Sequence, residues 1–124
     1  MLNLWGQWCA PCRAEAQGLQ EVFTASQDRG VAFLGINVRD PQRDKAQDFV
    51  RDQGITYPSV YDPTLRSLLA LGGDYPTSVI PSTIVLDREH RVAAVFLTEL
   101  LASDLQPVVD AIAAESPAPG AAGS

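Results

Sequence analysis

The chain's two cysteines, Cys9 and Cys12, stand two residues apart in Trp8-Cys9-Ala10-Pro11-Cys12, directly behind the apolar segment 1–5. No other feature of the sequence constrains the fold as strongly. A disulfide across two residues closes a ring too small to remove much entropy from the unfolded chain. Such a bond is a poor staple and is suited to being made and broken. Two other readings compete with a redox pair: half of a zinc site, and two inert buried thiols. Structural zinc takes four ligands, and the only other soft ligand is His90, which leaves that site incomplete within one chain. A Cys-x-x-Cys beside a strand–helix–strand pattern favours the redox reading.

The flanking residues supply that pattern. Residues 1–5 are apolar apart from Asn3, as a buried strand requires. After Gly6 a helical pattern runs to about Arg29, with Pro11 in its first turn, where a missing N–H is tolerated. Ala16, Leu19, Val22, Phe23 and Ser26 recur at helical spacing, and Gly30 is the stop signal. Residues 31–38 form a nearly continuous apolar run of strand length, as in a parallel sheet covered on both faces.

Punctuation organises the remainder. Asp40-Pro41 predicts an N-cap and a proline at the first helical position, opening a helix that buries Ala46, Phe49 and Val50 and closes at Gly54. Asp62-Pro63 repeats the device before a short helix with Leu65, Leu68 and Leu69 inside and Gly72-Gly73 behind it. Between them Pro58 to Tyr61 is expected as a short edge strand, where proline is tolerable. Residues 83–86 and 92–97 read as an antiparallel hairpin around the polar turn 87–91. Ser103 with Gln106 predicts a capping box, and the last helix buries Leu105, Val108, Val109 and Ile112. From Ser116 the chain is Pro, Ala, Gly and Ser, so residues 1–115 are expected as one domain and 116–124 as a disordered tail.

Composition narrows the function classes. With 124 residues, 46% of them hydrophobic and 19% charged, the chain has enough material for one core without a disulfide framework. A net charge of -6 argues against the phosphate-binding surface of a nucleic-acid protein and against anionic membrane surfaces. No apolar run approaches the roughly 20 residues of a membrane-spanning helix, and no basic n-region precedes an apolar h-region. His90, in a charged turn, is expected to be solvated, as are Asp40, Asp44 and Asp48, which read as one helix face.

The order β-α-β, helix–strand–helix insert, β-β-α resembles the thioredoxin superfamily, within it the TlpA/ResA-like branch of exported thiol-disulfide oxidoreductases. The residues that carry the resemblance are segment 2–15 (LNLWGQWCAPCRAE), Gly35-Ile36-Asn37-Val38, Ile80-Pro81-Ser82-Thr83 and Val85-Leu86-Asp87. It implies a thioredoxin-like three-layer α/β fold, with a mixed central sheet flanked by helices. Members carry a β-hairpin before the first strand and, ahead of that, a signal peptide or membrane anchor. This chain starts at the strand, so those segments are expected upstream of Met1 in a full-length, extracytoplasmic protein.

Position then assigns roles. Cys9 at a helix N-terminus is placed where orphan N–H groups and the helix dipole favour a thiolate, the attacking species; Cys12, one turn inward and less exposed, resolves the mixed disulfide. Cys12, Glu15, Leu19, Val22 and Ser26 share one stripe of the helix, so Glu15 is expected on the buried side, against the alternative of an exposed carboxylate complementing the dipole. The resemblance implies that Glu15 exchanges a proton with Cys12. It also implies a cis Ile80–Pro81 bond beside the cysteines, with Ile80 offering backbone to an extended substrate. Trp8, Ala10, Pro11, Ile80 and Pro81 are therefore the expected docking surface, while Trp5 belongs to the core. The expected activity is reduction of disulfides in exported proteins, with apocytochrome c as a candidate substrate and a membrane electron donor for recharging. No cofactor beyond the Cys9–Cys12 disulfide and no metal is expected. A peroxidase of the peroxiredoxin type and a redox-sensing binding module remain the alternatives.

Overall fold

A computed structural model describes residues 1–64, 66 and 79–115. The elements are β1 (Leu2–Trp5), α1 (Ala10–Ser26), β2 (Leu34–Asn37), α2 (Arg43–Asp52), β3 (Ser59–Tyr61), β4 (Ser82–Leu86), β5 (Val92–Phe96) and α3 (Ala102–Ala113). The five strands form one mixed sheet in the order β3-β2-β1-β4-β5. β1, β2 and β3 run parallel, while β4 is antiparallel to β1 and to β5. This is the thioredoxin-like α/β architecture that the sequence implies. The helix expected after Asp62-Pro63 and the tail from Ser116 lie outside the described residues.

Strand alternation divides the core between the two sheet faces. On one face Leu2, Leu4, Ile36, Val38 and Ile84 form a buried cluster. On the other, α1 and α3 close over β4, with Leu19, Val22, Val85, Leu105 and Val109 packed together with Phe33 and Tyr57. Val108 and Ile112 border this cluster half-buried. The sheet is thus apolar and buried on both faces. Full burial of one such aliphatic side chain contributes roughly 1.5–3 kcal/mol. Trp5 and Ala46 make a third cluster with both cysteines, which brings α2 against the head of α1.

The start signals need two corrections. α2 begins at Arg43 behind Gln42, not behind Asp40. Asp40 is fully buried instead of lying on a solvated helix face, whereas Asp44 and Asp48 are exposed as expected. Its carboxylate is drawn inward by three donors, the backbone N–H of Gln7 and Gln42 and the amide of Asn37. The Ser103–Gln106 box does not form. α3 starts two residues earlier, behind Leu101, and Asp104 reaches back to accept the Leu101 N–H at 2.9 Å. Gln106 is drawn away, donating to Ser26 and Asp110. The end signals hold: Gly30 has φ 78 and Gly54 φ 67.

Candidate active site

The site lies where β1 hands the chain to α1, at the C-terminal ends of the parallel strands. Backbone Cys9 N–H donates to Gly6 O at 3.1 Å and closes a tight turn. A Cβ at Gly6 would collide with the Trp8 indole lying over it, so a larger residue there must push the ring aside. The turn is lashed to the end of β2 by two bonds: Trp8 Nε1 donates to Val38 O at 3.1 Å, and Gln7 N–H donates to the Asp40 carboxylate at 3.1 Å. Tyr61 in turn donates its hydroxyl to Asp40 O at 2.6 Å.

Cys9 is the N-cap of α1, in extended conformation, and its sulfur accepts the Cys12 N–H at 3.2 Å. Pro11 sits in the first helical turn, where the absent donor leaves nothing unpaired. The two cysteines form a disulfide. Cys12 is expected to be the less exposed of the two, and the difference is slight: Cys9 retains 4% exposure and Cys12 3%. The oxidised pair is almost equally covered. The neighbours supply the exposed rim: Trp8 is 46% exposed, and Ala10 and Pro11 are exposed beside it.

Ile80 and Pro81 are brought to this rim. Their peptide bond is cis, Pro81 is buried, and half-buried Ile80 packs against the cluster that holds Cys9 and Cys12. Trp5 is in the core as expected, and its indole donates to Ser59 Oγ at 2.8 Å. His90 is exposed, in the turn between β4 and β5. Among the described residues no group of three or more His, Cys, Asp or Glu is placed to hold a metal. No helix among them is long and apolar enough to cross a membrane.

Glu15 occupies the buried stripe of α1, with 1% exposure, together with Cys12, Leu19, Val22 and Ser26. The dipole-complementing alternative is thereby excluded. Its Oε1 accepts the Asn3 side-chain amide at 2.9 Å and its Oε2 accepts the Leu100 N–H at 3.1 Å. Burial raises the carboxyl to about 7; the two donors oppose that rise, and the charge of Glu99 adds to it. The Tyr57 phenol is also raised above its ordinary value, by burial first and then by the charge of Glu15.

Asn3, which the sequence left without a role, and Asp40, which it marked as a helix cap, are thus part of the frame. Asp40 ties the Gly6–Cys9 turn to β2, and Asn3 holds Glu15. For Asn3 a signal existed, since a polar residue inside an apolar strand must find a partner when buried. For Asp40 the Asp-Pro pair pointed to a different job.

The profile of the AhpC/TSA family matches residues 1–95. The thiol-disulfide oxidoreductase ResA of Geobacillus thermodenitrificans is 29% identical over 111 residues, covering 90% of this chain and 61% of that protein. The chain therefore spans about three fifths of the length of this curated relative. Two crystal structures are more similar. A secreted thiol-disulfide isomerase from Corynebacterium glutamicum is 53% identical with a TM-score of 0.84, over 92% of this chain and 70% of that one. A DsbF homologue from Corynebacterium diphtheriae is 57% identical with a TM-score of 0.82, over 89% of this chain and 69% of that one.

Proposed function

Since the chain belongs to the AhpC/TSA family and has a thioredoxin-like fold, we propose that it is a thiol-disulfide oxidoreductase that reduces disulfides of exported proteins through Cys9 and Cys12. The observation that carries this reading is the Cys9–Cys12 disulfide at the head of α1, with Ile80 packed against its cluster. In the reduced protein the Cys9 thiolate attacks one substrate sulfur. A Cys9–substrate disulfide forms and the other substrate sulfur leaves as a thiolate. Cys12 gives up its proton, with Glu15 as acceptor, and its thiolate attacks the Cys9 sulfur. The Cys9–Cys12 disulfide closes, the second substrate thiolate departs, and two electrons have passed to the substrate. Trp8, Ala10, Pro11 and Ile80 form the surface on which the substrate lies, over the buried Pro81, with the backbone of Ile80 pairing with an extended segment.

The secreted relative supports an extracytoplasmic setting. In such a compartment the pair is held oxidised unless a donor recharges it, so a membrane electron donor completes the cycle. Apocytochrome c is the candidate substrate within this reading. The test is a Cys12→Ser variant expressed in the native cell. It traps the mixed disulfide and identifies the substrate, whereas Cys9→Ser traps none. Undiminished reduction by Cys9→Ser, or no trapped adduct from Cys12→Ser, overturns the reading. A reduction potential near or below about -220 mV marks a reductant, and one near about -120 mV an oxidant. The family match also keeps a peroxidase in view: Cys9 takes the peroxide oxygen as a sulfenic acid, and Cys12 displaces water to close the disulfide. Consumption of hydrogen peroxide by the reduced protein at a rate exceeding its exchange with a protein disulfide favours that second reading. A redox-sensing binding module would show neither turnover.

A further inference from the structure

We infer that Asn3, which lines a space together with Cys12, is a positioning residue that aims the Glu15 carboxylate. The inference rests on the proposed role of Glu15 and adds the residue on which that role depends. Asn3 lies in β1 among Leu2, Leu4 and Trp5, is 2% exposed, and pairs across the sheet with Thr83. A strand so placed is filled by apolar side chains, and an amide there must recover its lost hydration through bonds. It does so in one direction. The amide nitrogen donates to Glu15 Oε1 at 2.9 Å and lies 3.3 Å from both Ser82 O and Thr83 Oγ1. The β4 acceptors hold the amide plane, and the remaining hydrogen is directed at the carboxylate. Through Ser82 the same side chain is joined to the residue that follows Pro81.

The chemistry of the group suits the task. A primary amide donates to a carboxyl group whether that group is ionised or neutral, and it does not take the proton itself. It therefore orients Glu15 without competing for what Glu15 carries. Asn3 also lines, together with Cys12, Trp5 and Tyr57, a void of about 10 Å³. This is roughly the room one water requires. Asn3 is thus in direct contact with the carboxylate and also borders the space beside Cys12. The other groups that face Glu15 are the Leu100 N–H and the charge of Glu99 from the segment before α3, and Tyr57 from the segment before β3.

The test follows the Glu15 carboxyl carbon by NMR as a function of pH in the oxidised protein, where neither cysteine titrates. Asn3→Leu removes the donor and keeps the volume; Asn3→Ala gives the same readout should the branched side chain not be accommodated. Either is expected to raise the titration midpoint by about one pH unit, a roughly tenfold fall in proton dissociation, because a donor to the charged form is lost. In the reduced protein the pH profile of disulfide exchange moves in the same direction. Placed in a Glu15→Gln background, Asn3→Leu moves that profile no further. A residue that only supported the fold would lower the unfolding midpoint and leave the carboxyl titration in place, and that result overturns the inference. The two claims fail separately. If Asn3→Leu shifts the carboxyl midpoint while Glu15→Gln leaves the exchange profile unchanged, the positioning stands and the part of Glu15 in exchange falls. If the carboxyl midpoint stays in place, the positioning is wrong whatever Glu15→Gln does.

Discussion

Replacing Glu15 by glutamine is expected to shift stability in favour of the oxidised variant as pH rises from 5 to 8. The carboxyl titrates near 7 in the folded chain against an ordinary value of 4.5, and the side chain is 1% exposed. Below both values the group is protonated, folded or unfolded, and contributes nothing to the pH dependence. Between them the unfolded chain releases the proton and the folded chain retains it, so stability falls as pH rises, by at most about 1.4 kcal/mol per pH unit. Above the folded value the carboxylate is charged in both states and the full burial penalty is present. Across about 2.5 pH units this amounts to on the order of 3 kcal/mol. Glutamine is neutral at every pH; its amide nitrogen cannot accept the second of the bonds from Asn3 and Leu100, a loss that is the same at pH 5 and at pH 8. The variant therefore lacks the decline. Urea unfolding of both oxidised proteins at pH 5, 6, 7 and 8 measures the difference, which is expected to move in favour of the variant by on the order of 3 kcal/mol from pH 5 to pH 8. Asp87 and Asp110, whose carboxyls are lowered by their Arg91 and Arg29 partners, act equally in both proteins and cancel. A stability difference that stays constant from pH 5 to 8 refutes the reasoning, since no proton is then linked to folding at this position. The gain comes with slower disulfide exchange, because the variant cannot accept the Cys12 proton.

Other substitutions test the frame around the disulfide. Asp40→Ala leaves the Gln7 N–H and the Asn37 amide without their shared acceptor, and is expected to cost about 2–4 kcal/mol in denaturant unfolding. Amide exchange in the Gly6–Cys9 turn should quicken in the same variant. Gly6→Ala drives a methyl into the Trp8 indole, and is expected to lose the bond to Val38 O, seen as a shifted indole N–H resonance, with a cost of roughly 1–3 kcal/mol. Trp8→Ala, at a half-exposed position, is expected to change stability by only about 1 kcal/mol while raising the KM for a protein disulfide. An unchanged KM would remove Trp8 from the docking surface.

Much of the site was legible because local rules carry it. The buried position of Glu15 follows from its spacing to Cys12 and Leu19, since residues three and four apart share a helix face wherever that helix packs. The edge strand at β3 follows from proline placement, and the β4–β5 hairpin from two apolar runs around the polar turn 87–91. The misreadings have one cause. Asp40-Pro41 marks a change of direction, but which side chain caps the helix depends on the backbone angles of the next residue or two. Asp40 had stronger donors inside the molecule than the helix could offer. The same competition took Gln106 from the start of α3 to Ser26 and Asp110.

By itself the sequence determined the strand, redox pair and helix at the head of the chain, and the face on which Glu15 lies, because periodicity and chain punctuation act over a few residues. Only the tertiary structure decided that Asn3, twelve residues away, and the Leu100 N–H, eighty-five residues away, converge on that carboxylate. It also decided that Cys9 is covered almost as fully as Cys12. The physical reason is the same in each case: burial and partnership are properties of what is packed alongside, and distant segments meet only when the sheet and helices have assembled.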